Sequence, residues 1–192
     1  KIVAHVDAAH EFEDRGAQSL SGSQSRLQER AQGSRVVFPD ETFEERYTVP
    51  FGTMDIKALH IGPSHSPGDI VVWLPEQSLV IAGDIAFHER MLPIFEDTIT
   101  IDWLETWEEG FEKLAATYVI PGHGHPTNMD QVRRYTRDYL VYLREKVGEH
   151  LDAGGDLAGA YYVDQSPYAH LDTFEELATK NAGRVFEQME FE

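Results

Sequence analysis

Two continuous runs of apolar residues near the middle of the chain give the clearest structural signal. Ile70 to Leu74 and Leu79 to Ala82 are separated by a Pro-Glu-Gln segment, which is typical of a hairpin between two strands. Because neither run alternates with polar residues, both strands are expected to be central in a sheet and covered on both faces. Asp84 follows where the second run ends, and a buried carboxylate there needs a hydrogen bond, a counter-charge or a cation.

Upstream of this hairpin the pattern predicts short strands, a short helix and one segment without a clear period. The chain opens on the strand-like sequence KIVAHV, and Asp7 to Arg15 is compatible with a short helix. Gly16 to Gly33 is rich in Ser, Gln and Gly, so it is interpreted as a surface connector, either a mobile loop or a weak helix, with a lid over a substrate as the alternative. Extended segments are expected at Arg35 to Phe38, Phe43 to Val49 and Ile56 to Ile61.

Downstream of Asp84 the period of the apolar residues becomes helical. Asp102 and Glu105 resemble a capping box at the start of an amphipathic helix that carries two Trp residues. A strand at Tyr118 to Ile120 follows, and then a long helix capped by Thr127 with apolar residues at helical spacing as far as Leu151.

A last helix is expected from about Asp172 to Met189. The order of elements is strands, helix, strand, helix, helix. This order predicts a single α+β domain over residues 1–192, with a sheet covered by helices.

Charge narrows the possible partners. The chain has 34 acidic and 16 basic residues and a formal net charge of -18, which disfavours binding to nucleic acid and to anionic membranes. No apolar run reaches the ~20 residues of a membrane span. A soluble protein of either the cytoplasm or the periplasm is expected.

The chemistry most consistent with the residues is a metal site built from imidazole and carboxylate groups. The chain contains no Cys, so thiolate ligands are excluded. His65 in GPSHSPGD and His123 in PGHGHP lie in short Gly/Pro segments after apolar runs, as Asp84 does. One such His is more often structural, but three residues of this kind at strand ends favour a metal site. Asp69 is expected to brace the His65 loop by bonding its amides.

These motifs resemble the metallo-β-lactamase superfamily of dinuclear metal hydrolases, over nearly the whole chain from Lys1 to the last helix. GPSHSPGDIVVWLPEQSLVIAGD and VIPGHG carry the resemblance, and the helix IDWLETWEEGFEKL is similar to that of glyoxalase-II-like and quinoprotein-relay-type members. The resemblance implies the αββα sandwich fold. It also implies that His65 is a ligand of the first metal, that Asp84 bridges both metals, and that His123 is a ligand of the second.

The family's His-x-His-x-Asp-His motif is absent from the chain. By this resemblance the chain corresponds to the C-terminal part of the domain, truncated at its N-terminus. Zinc is then expected to bind weakly or not at all to this chain alone, which would be inactive. The uncovered sheet would associate with the missing N-terminal half or form a homodimer.

In the complete domain the resemblance implies hydrolysis of a small-molecule substrate by water activated between two zinc ions, with iron or manganese as possible replacements. Asp84 is the expected catalytic residue. His88 and His125 are candidates for contacts to the substrate or to the metal ligands. For His88 a loop histidine bonded to a backbone carbonyl is the favoured interpretation. Arg90 is a candidate for contact with an anionic substrate, but a surface ion pair is the favoured interpretation.

Two other functions remain open at this point. The chain is alternatively a non-catalytic, self-associating module derived from the fold, or an iron-binding oxidoreductase relative. The substrate and the bond hydrolysed are not determined by the sequence, since one fold supports many reactions.

Overall fold

The computed structural model describes every residue from Lys1 to Glu192. The strands are β1 (Val3–His5), β2 (Glu41–Phe43), β3 (Arg46–Phe51), β4 (Met54–Leu59), β5 (Val71–Leu74), β6 (Leu79–Phe87) and β7 (Tyr118–His123). The helices are α1 (Val6–Leu27), α2 (Thr100–Thr106), α3 (Met129–Tyr135), α4 (Arg137–Asp152), α5 (Leu157–Ala160) and α6 (Phe174–Met189).

Five strands form the main sheet in the order β3-β4-β5-β6-β7. Neighbours from β3 to β6 are antiparallel, whereas β7 pairs parallel to β6. The two apolar runs identified from the sequence are therefore central strands, as predicted. β1 and β2 form a separate parallel pair, and the α+β class is confirmed.

One face of the main sheet is packed against helical residues. Val71, Val80 and Val119 are fully buried there. They share a core with Trp107 and Phe111, which lie in a π-helical turn that continues α2. The helix predicted around the two Trp residues therefore covers this face, and α3 contributes Val132 to the same core. A second core joins α4 and α6 to Trp103 and the residues after β6.

The opposite face of the sheet is apolar but open. Register partners share a face, and Tyr47, Ala58, Val72, Ile81 and Ile120 form one row across all five strands. None of the five is fully buried, and Ile81 is 40% exposed. The β1–β2 pair contacts only one end of this face, where the rings of Phe43 and Tyr47 lie 6.0 Å apart and those of His5 and His60 lie 3.7 Å apart. The expectation that both faces are covered is therefore wrong at the exposed Ile81.

The segment at 16–33 is mostly helical, which is the second of the two forms expected for it. A single 22-residue helix, α1, runs through most of it and is followed by a short 3₁₀ turn. Gly16 is buried in this helix, where it lies against the side chains of Phe12 and Val36. Tertiary packing overrides the weak helix propensity of Ser and Gly. In contrast, Arg35 to Phe38 forms no strand.

The long helix predicted from Thr127 begins instead after Asn128, whose side chain accepts a hydrogen bond from the Gln131 amide. It is divided at Thr136 into α3 and α4. The hydroxyl of Thr136 lies 2.8 Å from the Phe87 amide nitrogen and 3.2 Å from its carbonyl oxygen. This pair of hydrogen bonds ties the break to the end of β6.

The start of α2 was also misplaced by the capping-box prediction. The helix begins at Thr100 after Ile99, without a side-chain cap. The Thr100 amide donates to Gln188 Oε1 at 3.0 Å, so a residue of α6 satisfies one of the free amides of the first turn. None of the helices has the length and apolar composition that crossing a membrane requires.

Candidate functional site

The three candidate metal ligands come from two neighbouring strands and one loop. Asp84 lies within β6, which continues to Phe87, so the strand does not end before Asp84 as expected. His123 is the last residue of β7. Because β6 and β7 are parallel, their carboxyl ends lie at the same edge of the sheet, and Phe87 is the register partner of His123.

The side chains of these residues meet at the carboxylate of Asp84. The Nε2 atom of His123 is 3.5 Å from Asp84 Oδ1, and the Nε2 atom of His65 is 3.8 Å from Asp84 Oδ2. No group of three or more His, Cys, Asp or Glu side chains forms a ready-made metal cage. The structure thus contains two His–Asp pairs that share one carboxylate, and the role of the three residues as ligands stays a prediction.

The backbone approaches closely at this point because of a glycine. A Cβ atom at Gly122 would lie 2.0 Å from Asp84 Oδ1 and 2.7 Å from the Gly83 carbonyl carbon. Only a residue without a side chain allows β7 to run this near to the carboxylate.

The His65 loop is held by the hydrogen bonds predicted for Asp69. Its carboxylate accepts from the Ser66 amide at 2.9 Å and from the hydroxyls of Ser64 and Ser66 at 3.0 and 2.7 Å. His60 Nδ1 is 2.8 Å from the Asp69 carbonyl oxygen, to which it donates. The loop therefore presents His65 on a rigid support.

The ring of His65 lies among aromatic side chains. Its centroid is 5.1 Å from that of Phe95 and 5.7 Å from that of Trp103. Thr98 donates to the His65 carbonyl oxygen at 2.7 Å, whereas the buried His65 Nδ1 has no hydrogen-bond partner. The orientation of His65 Nε2 is therefore fixed by aromatic packing and by the hydrogen bond to the backbone, and not by a hydrogen bond to Nδ1.

His123 has a different kind of support. Its ring stacks on Phe87 with centroids 5.0 Å apart, and its Nδ1 lies 2.7 Å from Arg90 Nη1. Arg90 has no carboxylate within salt-bridge distance, and its Nε donates to the Thr173 hydroxyl at 3.4 Å. The surface ion pair expected for Arg90 is therefore absent, and its main partner is a candidate metal ligand.

The two remaining candidate histidines are not within salt-bridge distance of Asp84, and contact of His125 with a substrate stays a prediction. His88 is nearly buried, and its Nδ1 donates to the His125 carbonyl oxygen at 2.9 Å, which matches the structural interpretation favoured for it. His125 is exposed and bonds Glu89 with 2.6 Å between Nδ1 and Oε2. This bond raises the pKa of His125 and lowers that of Glu89.

Comparison with known proteins identifies the family of the chain. The sequence profile described as "Metallo-beta-lactamase superfamily" matches residues 1–126. The chain belongs to the metallo-beta-lactamase superfamily. This superfamily includes hydrolases, and its fold is the fold class of the structure described above.

Two curated relatives of the superfamily are similar to the chain in part. A linear primary-alkylsulfatase from Pseudomonas sp. (strain ATCC 19151) is 24% identical over 135 residues, 63% of this chain and 24% of that protein. A type 2 metallo-beta-lactamase from Bacteroides fragilis is 29% identical over 89 residues, 45% of this chain and 36% of that protein. The chain therefore spans only a minor part of the length of either relative.

A solved superfamily structure is similar over the whole chain. A metallo-beta-lactamase family protein from Thermus thermophilus has a TM-score of 0.63 and 14% identity, and the similarity covers 100% of this chain and 67% of that protein. At this identity the similarity supports the fold alone.

Two residues that contact the candidate ligands were not predicted in this role from the sequence. Thr98, which is fully buried and binds the His65 carbonyl, lies in a segment with no motif. For Arg90, nothing in the sequence spacing indicates a bond to a histidine 33 positions away.

Proposed function

We propose that this chain supplies part of the active site of a metal-dependent hydrolase in which two zinc ions activate water. The observation that carries the proposal is the placement of the Nε2 atoms of His65 and His123 at opposite oxygens of Asp84. Each pair would share one cation, so that Asp84 bridges two.

The distances favour a shared cation over direct hydrogen bonds. At 3.5 and 3.8 Å, the two nitrogens lie beyond the 2.7–3.2 Å usual for N–H···O bonds. Two donors bound at ~2.1 Å to one tetrahedral ion are ~3.4 Å apart, by simple geometry from typical zinc bond lengths. The His123–Asp84 pair is close to this separation, and the His65–Asp84 pair needs a small side-chain adjustment.

The charge of Asp84 supports the same proposal. Its side chain is 35% exposed, and histidines are the only basic groups within salt-bridge distance. No Lys or Arg competes for this carboxylate, so it is available to bind a cation. Imidazole and carboxylate are also ligand types that suit zinc.

Bound zinc would lower the pKa of a water molecule toward ~7 and polarise the oxygen of a substrate carbonyl, phosphoryl or related group. The residues of this chain orient that chemistry. Asp84 is fixed in a central strand, the His65 loop is braced by Asp69, and the His123 ring is held between Phe87 and Arg90. A catalytic zinc usually has three protein ligands. We therefore propose that residues other than His65, Asp84 and His123 complete the ligands of each zinc ion.

Metal analysis of the purified protein tests this function against its alternatives. We expect weak or no zinc in the 192-residue chain, and two zinc ions per polypeptide when His-x-His-x-Asp-His ligands complete the domain. Two iron ions in the completed domain would favour the oxidoreductase alternative. The absence of metal at every length, together with no hydrolysis of activated esters or phosphodiesters, would favour the non-catalytic module.

The open apolar face of the sheet supports a proposal about association. Register partners on this face include Leu79 and Tyr118, and Tyr118 is 60% exposed. Contiguous apolar patches larger than a few hundred Å² are uncommon on monomers and mark interaction surfaces. We propose that a second β layer packs on this face, contributed either by an N-terminal half of the domain or by a second copy of this chain.

A further inference from the structure

The hydrogen bond between Arg90 and His123 determines which nitrogen of the imidazole carries its proton. The guanidinium has only donors and stays charged at any ordinary pH. With 2.7 Å between Arg90 Nη1 and His123 Nδ1, Nδ1 must be the acceptor. In the neutral ring the single proton is then on Nε2.

This arrangement is opposite to that of an ordinary metal-binding histidine. A ligating nitrogen uses its lone pair, and the other ring nitrogen usually donates its N–H to a carboxylate, carbonyl or water. Here Nε2, the atom that faces Asp84 Oδ1 at 3.5 Å, carries the proton, and Nδ1 faces a donor. Ligation through Nε2 would bring two donors, Nδ1–H and Arg90 Nη1–H, into contact.

Building on the proposed function, we infer that Arg90 is a positioning residue that holds His123 in the tautomer that cannot ligate. Ligation by Nε2 then requires the guanidinium to leave Nδ1. The ring stays neutral throughout: its one proton moves from Nε2 to Nδ1, and no proton is gained or lost by the protein. The Arg90 side chain is thus an internal competitor of the metal for His123.

The surroundings allow the side chain to move while its backbone stays fixed. On either side of Arg90, the Met91 amide donates to the Asp172 carbonyl and the Asp172 amide donates to the Glu89 carbonyl, both at 3.0 Å. The side chain itself has no salt bridge, and its second contact, 3.4 Å to Thr173 Oγ1, is long for a hydrogen bond. Leaving His123 therefore breaks no ion pair.

The test is a comparison of Arg90→Met, Arg90→Lys and a control in the domain completed by the His-x-His-x-Asp-His ligands. Arg134→Met is the control, since Arg134 is an exposed arginine without a salt bridge. In the metal-free protein, long-range ¹⁵N–¹H spectra should assign the His123 proton to Nε2 in the wild type and in Arg134→Met. Arg90→Met should shift the proton at least partly to Nδ1, and Arg90→Lys, which keeps a donor, should restore the wild-type tautomer.

Zinc affinity gives the second measurement. Arg90→Met should bind zinc about tenfold more tightly than wild type, as expected from removing one charge-assisted hydrogen bond, whereas Arg134→Met should not differ. A wild-type His123 with its proton on Nδ1, or weaker zinc binding by Arg90→Met, would overturn the inference. The variant His123→Ala separates the two proposals. If it leaves zinc affinity unchanged, the proposed function fails, and the inference about Arg90 is then judged only by the ¹⁵N–¹H spectra of His123.

Discussion

Gly122 lies so close to Asp84 that a Cβ atom on it would be 2.0 Å from the carboxylate oxygen Oδ1. The contact joins the two parallel strands of the sheet at the point where the candidate ligands meet. Because the neighbouring atoms on the β6 side include the backbone of Gly83, the clash cannot be relieved by rotating a side chain alone.

Gly122→Ala should therefore destabilise the fold by about 1–3 kcal/mol, the usual cost of overpacking, and should also displace the Asp84 carboxylate. The matched control is Gly22→Ala on α1, where a Cβ would meet nothing within 4 Å. The control should be neutral or more stable by about 0.5–1 kcal/mol, since Gly is unfavourable in a helix. Chemical denaturation of both variants gives the comparison, and equal midpoints would contradict it.

The central part of the fold could be predicted from the sequence because its signals are local. The two apolar runs around the Pro-Glu-Gln turn define β5 and β6, and the Gly/Pro loop defines where His65 lies, whereas β7 continues past its predicted end at Ile120 to His123. The role of Asp69 could also be predicted, since its carboxylate bonds only Ser64 and Ser66, which are near in sequence. In each case the partners are near in sequence.

The features that were missed depend on partners that are distant in sequence. The division between α3 and α4 requires Phe87 to bind Thr136, 49 positions away, and the start of α2 depends on Gln188, 88 positions from Thr100. Likewise, no pattern along the chain indicates that Arg90 bonds a histidine instead of a carboxylate. Local propensity and periodicity contain no information about such contacts.

Acid should weaken the packing of α1 through His5. Burial, with a smaller contribution from the neighbouring His60, lowers the pKa of His5 below its ordinary 6.5. The ring stacks on His60 with centroids 3.7 Å apart, and its Nδ1 accepts the Asp7 amide at the start of the helix. Protonation removes this acceptor and places a charge against the second imidazole.

Because the folded pKa is the lower one, the folded state binds fewer protons than the unfolded state below pH ~6.5. Stability should be unaffected by His5 above that pH and should fall, by at most ~1.4 kcal/mol per pH unit, as the pH decreases toward the folded pKa. Urea denaturation between pH 8 and pH 5 measures the slope. His5→Asn, which keeps a capping side chain, should flatten it, and His10→Gln, which replaces an exposed histidine, should not.

Self-association of the 192-residue chain should depend on the open face of the sheet. Ile81 is 40% exposed in the apolar row across all five strands, and a charge there would oppose the packing of another sheet. Ile81→Glu should therefore reduce the mass measured by light scattering toward that of the monomer. Ile101→Glu is the control, because Ile101 is 47% exposed but lies on α2, away from the sheet. A monodisperse wild-type monomer would exclude a second copy of this chain as the layer that packs on this face.

Asp84 should be required for metal binding and activity but not for the fold. Its carboxylate has no Lys or Arg partner and faces the Nε2 atoms of His65 and His123, so removing it breaks no ion pair with Lys or Arg. In the completed domain, Asp84→Ala should lower zinc affinity by more than the roughly 10–100-fold typical of lost outer-shell partners and abolish hydrolysis. The free energy of unfolding of the metal-free protein should stay within ~1 kcal/mol of wild type.

Asp55→Ala, at an exposed β4 carboxylate without a salt bridge, should retain both metal and activity. Zinc content by mass spectrometry, alongside a denaturation curve for each variant, distinguishes loss of the site from loss of the fold, and a fully zinc-loaded, active Asp84→Ala protein would refute the assignment.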